Sequence, residues 1–144
     1  MLIAVLGIAL IRLDRNKIGP LLLTGSGLMH ALAGVSPADL HDYKATTTRL
    51  HLAGAMGAGF LWAAALFWLG PLLSRKAGLQ TWGKVTPWFG FFLAANIGWQ
   101  VAYRATGLVM PGWGQRIAFL GYFLWLAMTG FLLWRNGGKD AARA

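Results

Sequence analysis

The chain has 144 residues, of which 57% are apolar and only 12% are charged. Soluble domains carry roughly one-quarter charged residues, so this composition excludes an ordinary soluble domain and indicates that many apolar side chains face lipid. The net charge is +9 and cysteine is absent, which excludes disulfides and thiolate chemistry. The basic residues form short clusters between apolar runs, as in the loops of membrane proteins, and no nucleic-acid partner is expected.

Hydropathy along the chain predicts an all-α fold, a polytopic transmembrane helical bundle in a single domain. A bilayer core about 30 Å thick needs about 20 helical residues. The opening segment, residues 1–11, is apolar but only about 16 Å long as a helix, so it is predicted to be a partial N-terminal helix. Four full spans follow in chain order, at about residues 18–35, 50–73, 88–109 and 117–134.

Small residues gather in the first two full spans and indicate close packing of helices. Gly25 and Gly27 lie in the first, and Gly54 and Gly57 in the second. Small residues let helix backbones approach closely when lipid supplies no hydrophobic drive between helices. We expect tight packing within the chain rather than a dimerisation face.

The distribution of basic residues predicts the orientation in the membrane, since Lys and Arg accumulate on the cytoplasmic side. Nine of them lie in loops or the tail on one side of the predicted spans: Arg12, Arg15, Lys17, Arg75, Lys76, Lys84, Arg135, Lys139 and Arg143. The other four are Lys44, Arg49, Arg104 and Arg116. We therefore expect a protein of the inner (plasma) membrane, with a cytoplasmic C-terminus and an external loop at residues 36–49. Trp82, Trp88, Trp113 and Trp134 are expected to be interfacial anchors at helix ends.

Polar residues near the predicted external ends of the spans form the candidate site, because polar groups at membrane depth are costly. Asn96, Gln100 and Tyr103 share one helical face through their i, i+4, i+7 spacing. The candidate ligand-binding residues are Asp39, His51, Asn96, Gln100, Arg104 and Arg116. The structural alternative is that Asp39 pairs with an arginine such as Arg116, that the two amides hydrogen-bond between helices, and that Thr46–Thr48 cap the next helix.

Two cofactor hypotheses rest on histidines in the same region. One hypothesis is haem ligation by His30 and His51. The other is a metal site formed by His41, His51, Asp39 and Asp42. Neither set has a specific ligand spacing. No cofactor and no metal is therefore expected, and no catalytic residue is assigned.

Three motifs in this region give the chain a family resemblance. Residues 34–39 end a span as G-V-S-P-A-D, Leu50-His51 opens the next span, and Gln115-Arg116 precedes the last. In these motifs the chain resembles domain-of-unknown-function family 998, the bacterial and archaeal multi-span integral membrane proteins. That family's motif has an aromatic residue where Ser36 stands here. The resemblance implies an N-terminally short member of that family and carries no activity.

The sequence favours a membrane protein that binds a lipid headgroup or another amphipathic molecule in an outward-facing polar pocket. Arg104 and Arg116 are predicted to contact an anion, because guanidinium forks suit phosphate and carboxylate, and Asn96 and Gln100 are predicted to orient it. One alternative is a membrane-embedded enzyme acting on a lipid or isoprenoid, with His51 and Asp39 as acid and base. The other is an accessory subunit of a larger membrane complex. Membrane lipids are the expected partners, with a membrane protein as a further partner.

Overall fold

Every regular element in the described part of the chain is an α-helix. The structure is a computed structural model, and it describes residues 2–12, 16–39, 41, 42, 44–107 and 112–141. Those residues form five helices: α1 (Leu2–Ile11), α2 (Ile18–Val35), α3 (Thr46–Ser74), α4 (Gln80–Ala105) and α5 (Trp113–Ala141). The all-helical class predicted from hydropathy is confirmed for these residues.

Three of the helices are long and apolar enough to cross a membrane. They are α2, α3 and the part of α5 at Gly114–Asn136. The 18 residues of α2 extend about 27 Å, close to the thickness of a bilayer core. α4 is long enough, at 26 residues, but it carries Lys84, Asn96, Gln100 and Arg104, which lower its mean hydropathy. The third predicted span, at about residues 88–109, overlaps this helix and stays a prediction, as does the total of four full spans.

Helix bounds differ from the predicted spans most clearly at α4. The sequence predicts a start at Trp88, immediately after Pro87, whereas α4 begins eight residues earlier and contains that proline. A proline removes one helical N–H, but helices in membranes tolerate it when a neighbouring helix packs against the site. The Pro87 ring fills such a contact, because a Cβ atom built at Gly70 of α3 would lie 2.6 Å from its Cγ.

The C-terminal end of α4 is set by a glycine. Gly107 adopts a φ of +74°, and its N–H donates to the carbonyl of Arg104 at 3.1 Å. This left-handed residue ends the helix as a glycine cap.

Parts of the predicted regions lie outside the described residues. In the partial helix this is Met1, and in the third span these are Leu108 and Val109. In the basic set these are Arg15 and Arg143.

The chain divides into two units, Met1–Ala65 and Leu66–Ala144. In the first, α1, α2 and the N-terminal part of α3 pack as antiparallel neighbours through small residues. A Cβ at Gly27 would lie 2.5 Å from the backbone nitrogen of Ala4, and one at Gly54 would lie 2.7 Å from that of Ala33. These glycines therefore serve packing within the chain, as the sequence predicts.

In the second unit, the end of α3 and the helices α4 and α5 are successive antiparallel neighbours. Phe67 of α3 meets Phe91 of α4 edge to face, with ring centroids 4.8 Å apart. Trp99 of α4 lies over Gly114 of α5, where a Cβ would come within 2.7 Å of the ring. Large rings therefore fill the space between α4 and α5, whereas α3 and α4 approach closely at Gly83, where a Cβ would lie 2.7 Å from the Gly70 carbonyl oxygen.

Candidate functional site

His51 binds the end of the preceding helix in the first unit. Its Nδ1 lies 2.9 Å from the carbonyl oxygen of Ala33 and 3.0 Å from that of Ser36. Carbonyls only accept hydrogen bonds, so Nδ1 carries the proton and donates. The helical partner of the Ala33 carbonyl would be the N–H of residue 37, and Pro37 has none. The imidazole of His51 therefore supplies the donor that the proline removes.

The connection between α2 and α3 is held by a second side chain, that of Thr48. This residue is buried, and the backbone N–H of Asp39 donates to its hydroxyl oxygen at 2.8 Å. The hydroxyl in turn lies 3.1 Å from the carbonyl of Asp42, to which it donates. Thr48 thus connects the loop to the first turn of α3. The sequence predicts that Thr46–Thr48 cap α3, but the Thr48 hydroxyl instead makes hydrogen bonds with the loop.

Asp39 forms a turn with its own neighbours. Its Oδ1 accepts the N–H of His41 at 2.8 Å and that of Asp42 at 3.3 Å. This side-chain-to-backbone pattern is a common way for aspartate to stabilise a tight turn. Asp39 is exposed, so water screens its charge.

These contacts give His51 and Asp39 structural roles at the α2–α3 connection. Of the motif residues that carry the family resemblance, Asp39 and His51 make hydrogen bonds to backbone groups, and Pro37 leaves the Ala33 carbonyl available to His51. Among the residues that the structure describes, no three histidine or acidic side chains form a potential metal-binding group. The Nδ1 of His30 donates to the Ser26 carbonyl at 3.2 Å, within its own helix.

The two predicted amides in the second unit lie together. The Nε2 of Gln100 donates to the Oδ1 of Asn96, and the Nδ2 of Asn96 donates to the carbonyl of Gly114 at 3.3 Å. Gln100 on α4 is therefore linked through Asn96 to the first turn of α5. Asn96 makes the interhelical bond that the structural alternative predicts, and it also orients the side chain of Gln100.

Arg104 and Arg116 lie on either side of this amide pair along the chain. Arg104 occupies the last turn of α4, and Arg116 the first turn of α5. Both are exposed, and neither guanidinium makes an ion pair or hydrogen bond with a described residue of its own unit. Each guanidinium keeps five N–H donors, so these two side chains retain the capacity to bind an anion.

An apolar groove runs along the same two helices, one turn deeper than the amides. Its volume is about 340 Å³, and it is lined by Trp88, Phe89, Phe92, Ile117, Leu120, Gly121 and Leu124. Within this lining Phe92 packs against Gly121, since a Cβ at that glycine would lie 2.9 Å from the phenyl ring. Phe92 precedes Asn96 by one helical turn, so the groove and the amide pair follow one another along α4.

A buried hydrogen-bond network that the sequence did not reveal joins α4 to α5. The indole N–H of Trp125 donates to the hydroxyl of Thr86 at 3.1 Å, and this hydroxyl donates to the Trp82 carbonyl at 2.9 Å. The indole N–H of Trp82 donates to the hydroxyl of Thr129 at 2.9 Å. Trp82 therefore satisfies its N–H inside the protein, in contrast to the anchoring role expected for it. The sequence does contain an indication of this network. Buried indoles need a hydrogen-bond acceptor, and Thr86 and Thr129 are two threonines in apolar segments that can serve as one.

The structure brings some of the predicted site residues together. Asn96 and Gln100 are bonded to each other, and they share α4 with Arg104 and an interhelical bond with the helix of Arg116. His51 and Asp39 belong to the other unit and bind its backbone. The convergence of all six residues on one pocket stays a prediction.

The helices and their polar contacts define a class: an all-helical protein with three segments suited to crossing a membrane. Comparison with family models, with curated proteins and with solved structures found no match. The resemblance to domain-of-unknown-function family 998 therefore stays a prediction.

Proposed function

We propose that this chain is an integral membrane protein that binds an anionic lipid headgroup, or a similar amphipathic molecule, at the end of α4 and the beginning of α5. Four full spans, with α4 as the third, and the partial helix α1 form its bundle. Arg104 and Arg116 contact the anion, while Gln100, held by Asn96, donates or accepts a further hydrogen bond.

The observation that carries this proposal is the bonded chain from Gln100 through Asn96 to the Gly114 carbonyl. Joining two helices needs only the bond between Asn96 and Gly114. Gln100 adds a second amide, whose remaining N–H and carbonyl oxygen are oriented by the first bond. Arg104 lies one turn further along α4, and Arg116 lies two residues beyond Gly114. A headgroup phosphate suits such a set of guanidinium and amide donors.

The test is to purify the protein in mild detergent and count retained phospholipids by native mass spectrometry. Phosphatidylglycerol is the anionic probe and phosphatidylcholine the reference. The double variant Arg104→Gln with Arg116→Gln should lose the preference for phosphatidylglycerol, and Gln100→Leu should weaken it. The matched control is Lys44→Gln with Arg49→Gln, which removes two exposed positive charges from the other unit. Equal loss in the control would make the effect one of net charge and would overturn the proposal.

We further propose that the protein lies in the inner membrane with its C-terminus in the cytoplasm and the connection between α2 and α3 outside. Nine basic residues against four support this orientation. Single cysteines at Ala45 and Ala141 are unambiguous reporters, because the chain has no other cysteine. An impermeant thiol reagent applied to intact cells should label Ala45→Cys and spare Ala141→Cys. The reverse labelling would show that the orientation is inverted.

A further inference from the structure

The groove between α4 and α5 continues the polar end of these helices into an apolar region. Moving from Arg104 along α4, the side chains change from a cation to the Gln100 and Asn96 amides and then to the Phe92 ring. On α5 the order is Arg116 and then Ile117, Leu120 and Leu124. On α4, cation, amide and hydrocarbon surface therefore follow one another in the order in which a phospholipid presents phosphate, ester and acyl chain, and on α5 the cation is followed directly by hydrocarbon surface.

We infer that this groove seats one acyl chain of the phospholipid whose headgroup binds at Arg104, Arg116 and Gln100. The inference rests on the proposed headgroup site and adds the part of the ligand that lies deeper in the bilayer. The occupant is a hydrocarbon chain, because the seven lining residues offer no polar side chain except the indole of Trp88.

The groove is a shallow and open apolar surface between α4 and α5. Its lining includes the contact between Phe92 and Gly121, where a Cβ would lie 2.9 Å from the phenyl ring. The volume of about 340 Å³ is within the range of small-molecule sites. Lipid tails are as apolar as the groove, so the gain comes from van der Waals packing against atoms that would otherwise face a gap. The headgroup contacts then hold one particular chain in register with it.

The experiment uses the full chain in phosphatidylcholine vesicles containing a small fraction of phosphatidylglycerol with a photoreactive diazirine on one acyl chain. After illumination, the labelled residues are mapped by peptide mass spectrometry. We expect labels concentrated on the groove residues of α4 and α5, and competition by unlabelled phosphatidylglycerol. Equal labelling of the lipid-facing residues around all helices would overturn the inference, because it is the pattern of ordinary surrounding lipid.

Two variants, Leu120→Trp and Leu124→Trp, fill the groove from its α5 side. They are made separately, so that if one does not fold the other still tests the inference. Each should reduce labelling of Trp88 and Phe92 severalfold. The matched control is Leu28→Trp in α2, since Leu28 is 60% exposed and the groove leucines are 69% and 51% exposed. Unchanged groove labelling in both filled variants would contradict the acyl-chain seat.

The polar variants separate this inference from the proposed function. If Gln100→Leu lowers groove labelling by phosphatidylglycerol, headgroup and chain bind as one ligand, and both proposals are supported. If the groove is labelled equally well in that variant and in the double arginine variant, the chain seat stands and the headgroup site fails. If phosphatidylglycerol is retained in native mass spectrometry but labels are spread over all helices, the headgroup site stands and the groove inference fails. Cross-links joining two copies through the groove would assign the face to a dimer and overturn the inference.

Discussion

The helices of the first unit and the α4–α5 pair of the second are held together in different ways. In the first, glycines bring the backbones of α1, α2 and α3 into direct contact, and the hydroxyl of Ser26 donates to the Ala58 carbonyl at 2.9 Å. In the second, indole and phenyl rings separate α4 from α5, and threonine hydroxyls accept the indole N–H groups. The apolar groove lies between the ring-packed helices α4 and α5, and the proposed ligand site lies at one end of the same pair.

The largest effect is expected where backbones touch. Gly54→Ala would bring a methyl group to 2.7 Å from the Ala33 nitrogen and 2.8 Å from the Met29 carbonyl oxygen. Since neither backbone atom can rotate away, α2 and α3 must separate, at a cost of about 3 kcal/mol or more. The measurement is the free energy of unfolding in mixed detergent micelles.

Gly130→Ala is the matched control for that prediction. Gly130 lies within α5, and a Cβ built there meets nothing within 4 Å. Alanine should therefore stabilise the helix by about 0.5 to 1 kcal/mol. Equal effects at the two positions would show that the backbone contacts at Gly54 do not limit how closely α2 and α3 pack.

The second prediction removes a hydroxyl from the network between α4 and α5. Thr86→Val keeps the shape of the side chain but leaves the Trp125 indole N–H without its acceptor, so we expect a loss of about 1 to 3 kcal/mol. Thr86 and Trp125 are fully buried, which keeps water from replacing the bond. Thr81→Val, at an exposed position of the same helix, should change the stability very little. A similar loss in both variants would mean that helix propensity, and not the network, sets the effect.

How much of the fold and of the candidate site the sequence predicts depends on the kind of interaction. Helix class and the bounds of α2 follow from apolar runs, because length and hydropathy are local properties. The early start of α4 does not, because Pro87 is tolerated only through its contact with Gly70 on another helix. Polarity predicts, as one alternative, a hydrogen bond from Asn96 to another helix. It does not identify the acceptor, because the acceptor is the backbone carbonyl of Gly114 and not a side chain. The contact of Phe92 with Gly121 in the groove joins two helices, so no local pattern in the sequence encodes it.

The third prediction concerns the hydrogen bonds by which the His51 side chain of α3 binds the C-terminal end of α2. His51→Phe keeps a ring of similar size but removes the donor to Ala33 and Ser36, whose carbonyls lack a helical partner after Pro37. We expect a loss of about 1 kcal/mol and faster proteolysis within residues 36–49. His41→Ala is the control, because its exposed side chain makes no hydrogen bond within its unit's described residues. If His51→Phe leaves stability unchanged, its role is not structural, and the acid–base alternative becomes the better explanation of this histidine.

The smallest expected effect is the coupling between Asp39 and Arg116, one residue from each unit. Both are exposed, so an ion pair between them would be worth about 0 to 1 kcal/mol, compared with about 3 to 5 for breaking a buried pair. Asp39→Asn should itself cost little, because an asparagine oxygen still accepts the N–H groups of His41 and Asp42. The measurement is a double-mutant cycle of Asp39→Asn and Arg116→Gln on the free energy of unfolding, with Asp39→Asn and Lys84→Gln as the reference cycle. Coupling below about 1 kcal/mol in both cycles leaves Arg116 available to a ligand anion. Coupling of about 3 kcal/mol confined to the first would mean that Arg116 neutralises Asp39 in a dry site, and the anion site would then rest on Arg104 and Gln100.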